Sequence, residues 1–226
     1  MRFDVKELLR SNRWFFAFVL VFGVFRTAVA DWNPIPSASM HPTLLEGDVV
    51  FVNRLAFNVK VPLTDVVLAH TGDPRRGDVV TFSSPEDGTR LIKRVIGLPG
   101  ETIEMRGKRI IVDGRDADYE TLGLADTPQL GDHGLKAMHV EEETADDRHE
   151  IQWLTRRAER DDFGPIVVPA DHYLMLGDNR DNSIDSRFFG LVPRNLLIGR
   201  AERILVSADY KESWRVRFDR FGKALH

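Results

Sequence analysis

The 226-residue sequence contains no cysteine and has no excess of positive charge. The first absence excludes disulfides, zinc–thiolate sites, iron–sulfur clusters and a cysteine nucleophile. The second, a formal net charge of −4, gives no basic field that would indicate a nucleic-acid partner. Hydrophobic residues make up 42% and charged residues 29% of the chain, which excludes a disordered tail, a collagen-like repeat and a multi-pass membrane protein.

Aromatic residues and charge are unevenly distributed along the chain. Six of the 14 phenylalanines lie in the first 25 residues. The first 30 residues carry a net charge of +3, which leaves −7 for the remaining 196. The composition therefore divides the chain into a short basic, aromatic head and a long acidic body.

Residues 14–30 are the candidate membrane segment, because residues 14–25 carry no charge. Seventeen helical residues at about 1.5 Å each span about 25 Å, the short end of a transmembrane helix. Basic residues precede this segment, so the positive-inside rule predicts residues 1–13 in the cytosol and residues 31–226 across the membrane. Ala28-Val29-Ala30 also fits the cleavage site of a signal peptide, so an uncleaved anchor and a cleaved leader both remain open.

Short apolar segments separated by glycine and proline turns begin at residue 48. They predict a mainly β fold, an antiparallel-sheet domain. The predicted strands are residues 49–52, 78–82, 90–96, 102–105, 109–112, 166–169, 173–176 and 201–206, with a last strand over residues 214–218. Residues 115–162 are acidic and poor in apolar runs, which predicts a solvated α/β or loop insertion between core segments 31–114 and 163–226.

The first segment with candidate chemistry is an extended, proline-rich loop over residues 35–48. It holds Ser37 and Ser39 directly after the candidate membrane segment. A serine hydroxyl is a weak nucleophile and needs an adjacent base. Taken alone, without a base, these two serines are better explained by solvation of the proline-rich loop.

The second segment is the predicted strand over residues 90–96, which contains Lys93. Strand alternation points Lys93 to the same face as Leu91 and Val95. Desolvation lowers the pKa of a lysine, and a neutral amine can act as a general base. A snorkelling lysine on an edge strand is the alternative. Arg94 points to the opposite face and is expected to be an ordinary solvated charge.

The third segment, residues 177–190, places acids, amides, two serines and two arginines in one loop after an apolar strand. Calcium binding is the competing explanation, but the loop does not fit an EF-hand. Arg180 and Ser183 stand where that pattern needs an acid or amide and a glycine. A buried, fully paired polar network is the better interpretation.

In this order, the three segments resemble the bacterial type I signal peptidases, which are membrane-bound Ser–Lys proteases. The resemblance covers residues 32–207 and includes residues 76–82 and 97–100. Its most specific parts are the strings LIKRVIGLPGE and GDNRDNSIDSR.

The resemblance implies a role for each matching residue. Ser39 corresponds to the nucleophile and Lys93 to the general base. Ser37 corresponds to the hydroxyl that helps form the oxyanion hole, and Ser183 to the serine that orients the lysine amine. The residues that correspond to the structural polar network are Asp178, Arg180, Asp185 and Arg187. Those that match the apolar lining of the substrate pockets are Ile35, Pro36, Met40, Leu44, Leu91 and Ile92.

The sequence also departs from the family pattern. Ala38 replaces the usual glycine between the two serines, Leu91 replaces an aromatic residue, and Phe189 stands where tryptophan is frequent. The best-known Gram-negative members carry two membrane segments, whereas this chain shows one.

The resemblance implies a membrane-anchored endopeptidase that removes N-terminal signal peptides from exported preproteins after an Ala-X-Ala sequence. It implies a single-pass inner-membrane protein with its catalytic domain on the periplasmic side. Its partners would be signal peptides and the lipid bilayer, with no nucleic acid, cofactor, metal or oligomer implied. An uncleaved anchor is then favoured, because cleavage would release the enzyme from the surface where its substrates lie. A protease dedicated to one client system, such as pilus or conjugation proteins, and an inactive anchored binding domain are the alternatives.

Overall fold

The computed structural model describes residues 10–61, 64, 66–126, 136–155, 161–211 and 214–225. A long N-terminal helix, α1 (Arg13–Ala28), is followed by β-strands with few further helical turns. The strands of the largest sheet are β1 (Ala30–Pro34), β2 (Asp48–Asn53), β5 (Val79–Ser83), β6 (Arg90–Gly97), β14 (His172–Leu176), β15 (Val192–Pro193), β16 (Leu197–Asp209) and β17 (Arg215–Val216).

The largest sheet is antiparallel throughout, with strand order β1-β2-β16-β5-β6-β14-β15 and β17 beside β16. The prediction of a mainly β, antiparallel fold is thus confirmed. β6 lies between β5 and β14, and its residues 93–97 are all buried. Both faces of this strand are therefore covered, which matters for the site described below.

Smaller sheets complete the β structure. Their strands are β3 (Asn58–Lys60), β4 (Val67–His70), β7 (Thr102–Arg106), β8 (Arg109–Val112), β9 (Arg115–Asp116) and β13 (Phe163–Val167). One of these sheets has the order β13-β7-β8-β9, and another pairs β3 with β4. The predicted final strand is too long: only Arg215–Val216 is a strand, and a 3₁₀ turn follows at Phe218–Arg220.

The acidic insertion is a three-stranded antiparallel sheet, not the expected α/β or loop structure. Its strands are β10 (Asp118–Asp126), β11 (Lys136–Glu143) and β12 (Arg148–Leu154). No helix occurs in the parts of residues 115–162 that the structure describes. Apolar residues on one face of the sheet explain the strands, because Val140 on β11 and Ile151 on β12 are cross-strand partners and both are fully buried.

α1 ends at Ala28, and Ala30 already pairs with Asn53 on β2. The helix is therefore shorter than the predicted segment over residues 14–30, because pairing with β2 extends the chain from Ala30 onward. None of its side chains is buried. Among the described residues, no helix is both long enough and apolar enough to cross a membrane.

Candidate active site

Ser39 and Lys93 meet although 54 residues separate them in the sequence. Ser39 lies in a short 3₁₀ turn (Ala38–Met40) after β1, and Lys93 lies in the middle of β6. Lys93 Nζ is 2.7 Å from Ser39 Oγ, within hydrogen-bond distance. The lysine side chain is buried and the serine is half-buried. This geometry is that of a nucleophile with an adjacent base.

The surroundings of Lys93 favour its neutral form. Burial lowers its pKa from 10.5 to about 8, since desolvation penalises the ammonium ion. The negative charges of Asp185 and Asp178 oppose this effect, and the positive charge of Arg187 adds to it. A substantial fraction of Lys93 is therefore neutral just above neutral pH, as a general base requires.

Ser37 and Ser183, the other two predicted site serines, lie close to the Ser39 turn. Ser37 is exposed, and its Oγ is 3.5 Å from Ser39 Oγ. The Ser183 hydroxyl is buried and has no hydrogen-bond partner in the described part of the chain. Gly177 separates this serine from Ser39: a Cβ at that position would collide with Ser183 Oγ and lie 2.5 Å from the Ser39 carbonyl oxygen. Only glycine allows this close approach.

Arg94 is the main error of the sequence interpretation. It is not a solvated charge: it is 1% exposed, and its guanidinium binds Asp178 through Nε at 2.9 Å and through Nη2 at 2.8 Å. Burial would raise the pKa of Asp178, but the charge of Arg94 and its hydrogen bonds hold that pKa below its usual range. Thr43, four residues after Ser39, also donates to Asp178. Arg94 and Asp178 therefore connect β6, the loop of residues 177–190 and the loop that carries Ser39.

Two further buried ion pairs involve the other predicted network residues. Asp185 binds Arg187 through two hydrogen bonds of 2.8 Å and also accepts from the backbone N–H of Gly177 at 3.0 Å. Arg180 binds Glu142 of β11 through hydrogen bonds of 2.6 and 2.7 Å. Each predicted network residue is thus in a buried ion pair, but two of the partners, Arg94 and Glu142, lie outside the loop. The prediction of a fully paired network is wrong, because Arg180 Nε has no hydrogen-bond partner among the described residues.

Asn179 is a site residue that sequence reasoning missed. It is fully buried, its backbone N–H donates to the Ser39 carbonyl oxygen at 3.1 Å, and its side-chain amide donates to the Ala38 carbonyl oxygen at 3.0 Å. The loop of residues 177–190 therefore holds the turn that carries Ser39 directly. The available signal was the position of Asn179 between Asp178 and Arg180, both already assigned to the network.

The residues predicted to line the substrate pockets divide into two groups. Three pack in the core beneath the site and have little or no exposed surface: Ile35, Met40 and Leu44. Three keep some exposed surface: Pro36, Leu91 and Ile92. In this conformation, only the second group has surface that a bound peptide can contact.

Comparison with known proteins found a family match and several similar proteins. The chain matches the family described as signal peptidase, peptidase S26, over residues 8–206. It is 35% identical to signal peptidase I of Pseudomonas fluorescens, over 95% of this chain and 78% of that protein. It is 34% identical to signal peptidase I P of Bacillus subtilis subsp. natto, over 92% of this chain and 96% of that protein. A crystal structure of signal peptidase I from Enterococcus faecalis is 29% identical and covers 57% of this chain and 96% of its own, with a TM-score of 0.35.

Proposed function

This chain belongs to the signal peptidase family, peptidase S26, and is a serine peptidase; on that premise we propose that it removes N-terminal signal peptides from exported preproteins by a Ser39–Lys93 dyad. The observation that carries the proposal is the 2.7 Å separation of Lys93 Nζ from Ser39 Oγ, with the lysine buried. A histidine-based triad has no such support, because Ser39 Oγ has hydrogen-bond contacts only with Lys93 and Ser37 among the described residues.

The first half of the reaction forms an acyl-enzyme. Neutral Lys93 accepts the proton of Ser39 Oγ as that oxygen attacks the scissile carbonyl carbon. The resulting oxyanion accepts hydrogen bonds from the Ser37 hydroxyl and the Ser39 backbone N–H, each contributing about 3–4 kcal/mol in related sites. The C–N bond then breaks, and protonated Lys93 gives its proton to the leaving amine, which is the new N-terminus of the mature protein.

The second half restores the enzyme. Lys93, neutral again, takes a proton from a water molecule as the water oxygen attacks the acyl carbon. The C–Oγ bond breaks, the proton returns to Ser39, and the signal peptide leaves with a new carboxylate. The half-exposed side chains of Leu91 and Ile92 lie two residues and one residue, respectively, before Lys93 on β6. They support shallow apolar pockets that accept small residues at −1 and −3, the Ala-X-Ala pattern.

Attachment of the enzyme to the inner membrane by α1 is part of the proposal. Residues 14–25 of the helix carry no charge on any face, and the helix buries no side chain: Trp14 is 77% exposed and Phe15 is 63% exposed. A helix that is hydrophobic on every face needs an apolar environment, which a bilayer supplies. At its end Arg26 pairs with Asp31 at 3.3 Å and lies over the ring of Trp32, which suits the membrane–water interface.

A second exposed aromatic surface supports attachment to the membrane. Near the C-terminus Trp214 is 77% exposed and Phe218 is 74% exposed, and both lie close in sequence to exposed Arg215. Aromatic and basic side chains together favour an anionic lipid surface. With the N-terminus in the cytosol, the catalytic domain would lie on the periplasmic side, where signal peptides emerge.

The experiment is cleavage of several unrelated preproteins by the full chain in detergent. The Ser39→Ala and Lys93→Ala variants should both lose activity, and the exposed lysine variant Lys223→Ala should keep it. Activity that persists in Lys93→Ala would refute the dyad. Cleavage of one client alone would favour the dedicated protease, and no cleavage by the wild type would favour the binding domain.

A further inference from the structure

Glu142 is a buried carboxylate in the middle of an acidic sequence. It is fully inaccessible, whereas its neighbour Glu143 is 54% exposed. Its two oxygens accept hydrogen bonds from Arg180 at 2.6 and 2.7 Å, and the Tyr119 hydroxyl donates to it at 2.6 Å. Burial raises the pKa of Glu142, but the positive charge of Arg180 and its hydrogen bonds lower it more, so the carboxylate stays ionised.

Arg180 depends on this carboxylate. Its side chain is 1% exposed, and Glu142 is the one side chain that accepts its hydrogen bonds among the described residues, while its Nε has no partner. A buried guanidinium cannot lose its charge, because its pKa lies above the range in which proteins fold. Removing the negative charge of Glu142 therefore leaves a buried positive charge without a counterion.

The backbone around Arg180 leads directly to the nucleophile. Gln152 of β12 donates its N–H to the Asp178 carbonyl at 2.9 Å and accepts the N–H of Arg180 at 3.1 Å. These two bonds fix the backbone on either side of Asn179. Asn179 in turn donates to the carbonyl oxygens of Ser39 and Ala38. The insertion sheet thus contacts the loop that holds the nucleophile turn.

We propose that Glu142 is a positioning residue for the reaction: it fixes Arg180, and through Arg180 and Asn179 it sets the position of Ser39 relative to Lys93. This inference rests on the proposed Ser–Lys function. Glu142 contacts neither Ser39 nor Lys93. It therefore affects the position of Ser39 and does not change the pKa of Lys93. The acidic insertion then contributes to catalysis through the Glu142 carboxylate, which is separated from the reacting atoms by Arg180 and Asn179.

The test compares Glu142→Gln with Glu143→Gln, an identical change one residue along the same strand. Both are assayed as full-length protein in detergent, with a peptide that spans a signal-peptide cleavage site, well below the unfolding temperature of each variant. Glu142→Gln should lower kcat by about 10- to 100-fold, the effect of a misplaced reacting group, with KM within about twofold of wild type. The midpoint of its pH–rate profile should not move, and Glu143→Gln should match the wild type.

A double-mutant cycle separates positioning from general stability. If Glu142 acts through Asn179, the losses of Glu142→Gln and Asn179→Ala should not multiply, and the double variant should resemble the worse single one. Glu142→Asp should recover part of kcat. If Glu142→Gln does not fold, Tyr119→Phe removes one hydrogen bond from Glu142 without changing charge and should lower kcat by about three- to tenfold.

Two results would overturn the inference. The first is a wild-type kcat in folded Glu142→Gln or, if that variant does not fold, in Tyr119→Phe. The second is a double variant whose loss of kcat equals the product of the two single losses. A wild-type enzyme that cleaves no signal peptide would instead overturn the proposed function, so the two failures are distinguishable.

Discussion

Replacing Lys93 with methionine should abolish peptidase activity and at the same time stabilise the folded protein near neutral pH. Methionine has a similar length and no charge, so it fits a buried site without a desolvation cost. The wild type must keep an ammonium ion in that site, which is why the pKa of Lys93 falls to about 8.

The size of the effect follows from the two pKa values of Lys93. The difference between 10.5 in the unfolded chain and about 8 in the folded protein corresponds to about 3 kcal/mol of lost stability. This cost is fully present below pH 8, where the lysine is charged in both states. It disappears as the pH rises from 8 to 10.5, because the folded protein then holds a neutral amine while the unfolded chain still binds a proton. Loss of the hydrogen bond to Ser39 offsets about 1 kcal/mol, which leaves a net gain of about 2 kcal/mol at pH 7.

Urea unfolding at several pH values between 6 and 10.5 measures this difference. Lys93→Met should have a higher midpoint than the wild type at pH 7, and the gap should close toward pH 10.5. Lys223→Met, which changes an exposed lysine, is the matched control and should show no such trend. Equal stability of Lys93→Met and wild type at pH 7, or a difference in midpoint that does not depend on pH, would contradict the conclusion that the buried Lys93 ammonium destabilises the folded protein.

Three other outcomes are expected. The kcat/KM of the wild type should rise about tenfold between pH 7 and pH 9 as the Lys93 amine loses its proton, and a flat profile would contradict its role as the base. Arg94→Met breaks a buried ion pair and should lower the free energy of unfolding by about 3–5 kcal/mol, whereas Arg106→Met at an exposed site should change it by less than about 1 kcal/mol. Gly177→Ala should reduce activity and stability because its methyl group meets the nucleophile turn, while Gly123→Ala has open space and should do neither.

Strand alternation and loop chemistry singled out Lys93 and Ser39 as candidates, and the family resemblance then implied their roles. Alternation placed Lys93 with apolar neighbours, and the structure shows it buried beside Ser39. The same rule failed for Arg94 because it assumes one solvated face, whereas β6 is covered on both faces from Lys93 onward. A local pattern reports which residues share a face, but it does not report whether the other face is packed.

The acidic insertion shows a second limit of local reasoning. A run of three glutamates reads as a solvated segment, yet the middle one, Glu142, is inaccessible. Its burial depends on Arg180, which lies 38 residues further along the chain. Val140 and Glu142 share one face of β11, so alternation gave a weak signal. Burial of the Glu142 carboxylate requires the Arg180 counterion, and only the tertiary fold brings the two together.

The two faces of strand β6 carry charged groups that respond differently to pH. On one face, burial lowers the pKa of Lys93 to about 8. On the other, the pKa of Arg94 is raised and that of Asp178 is lowered, since their mutual attraction outweighs the effect of burial. The pair holding the framework therefore keeps its charges through the whole range in which the base gains or loses its proton. A rise in pH through 8 therefore neutralises Lys93 without changing the charges of the Arg94–Asp178 pair.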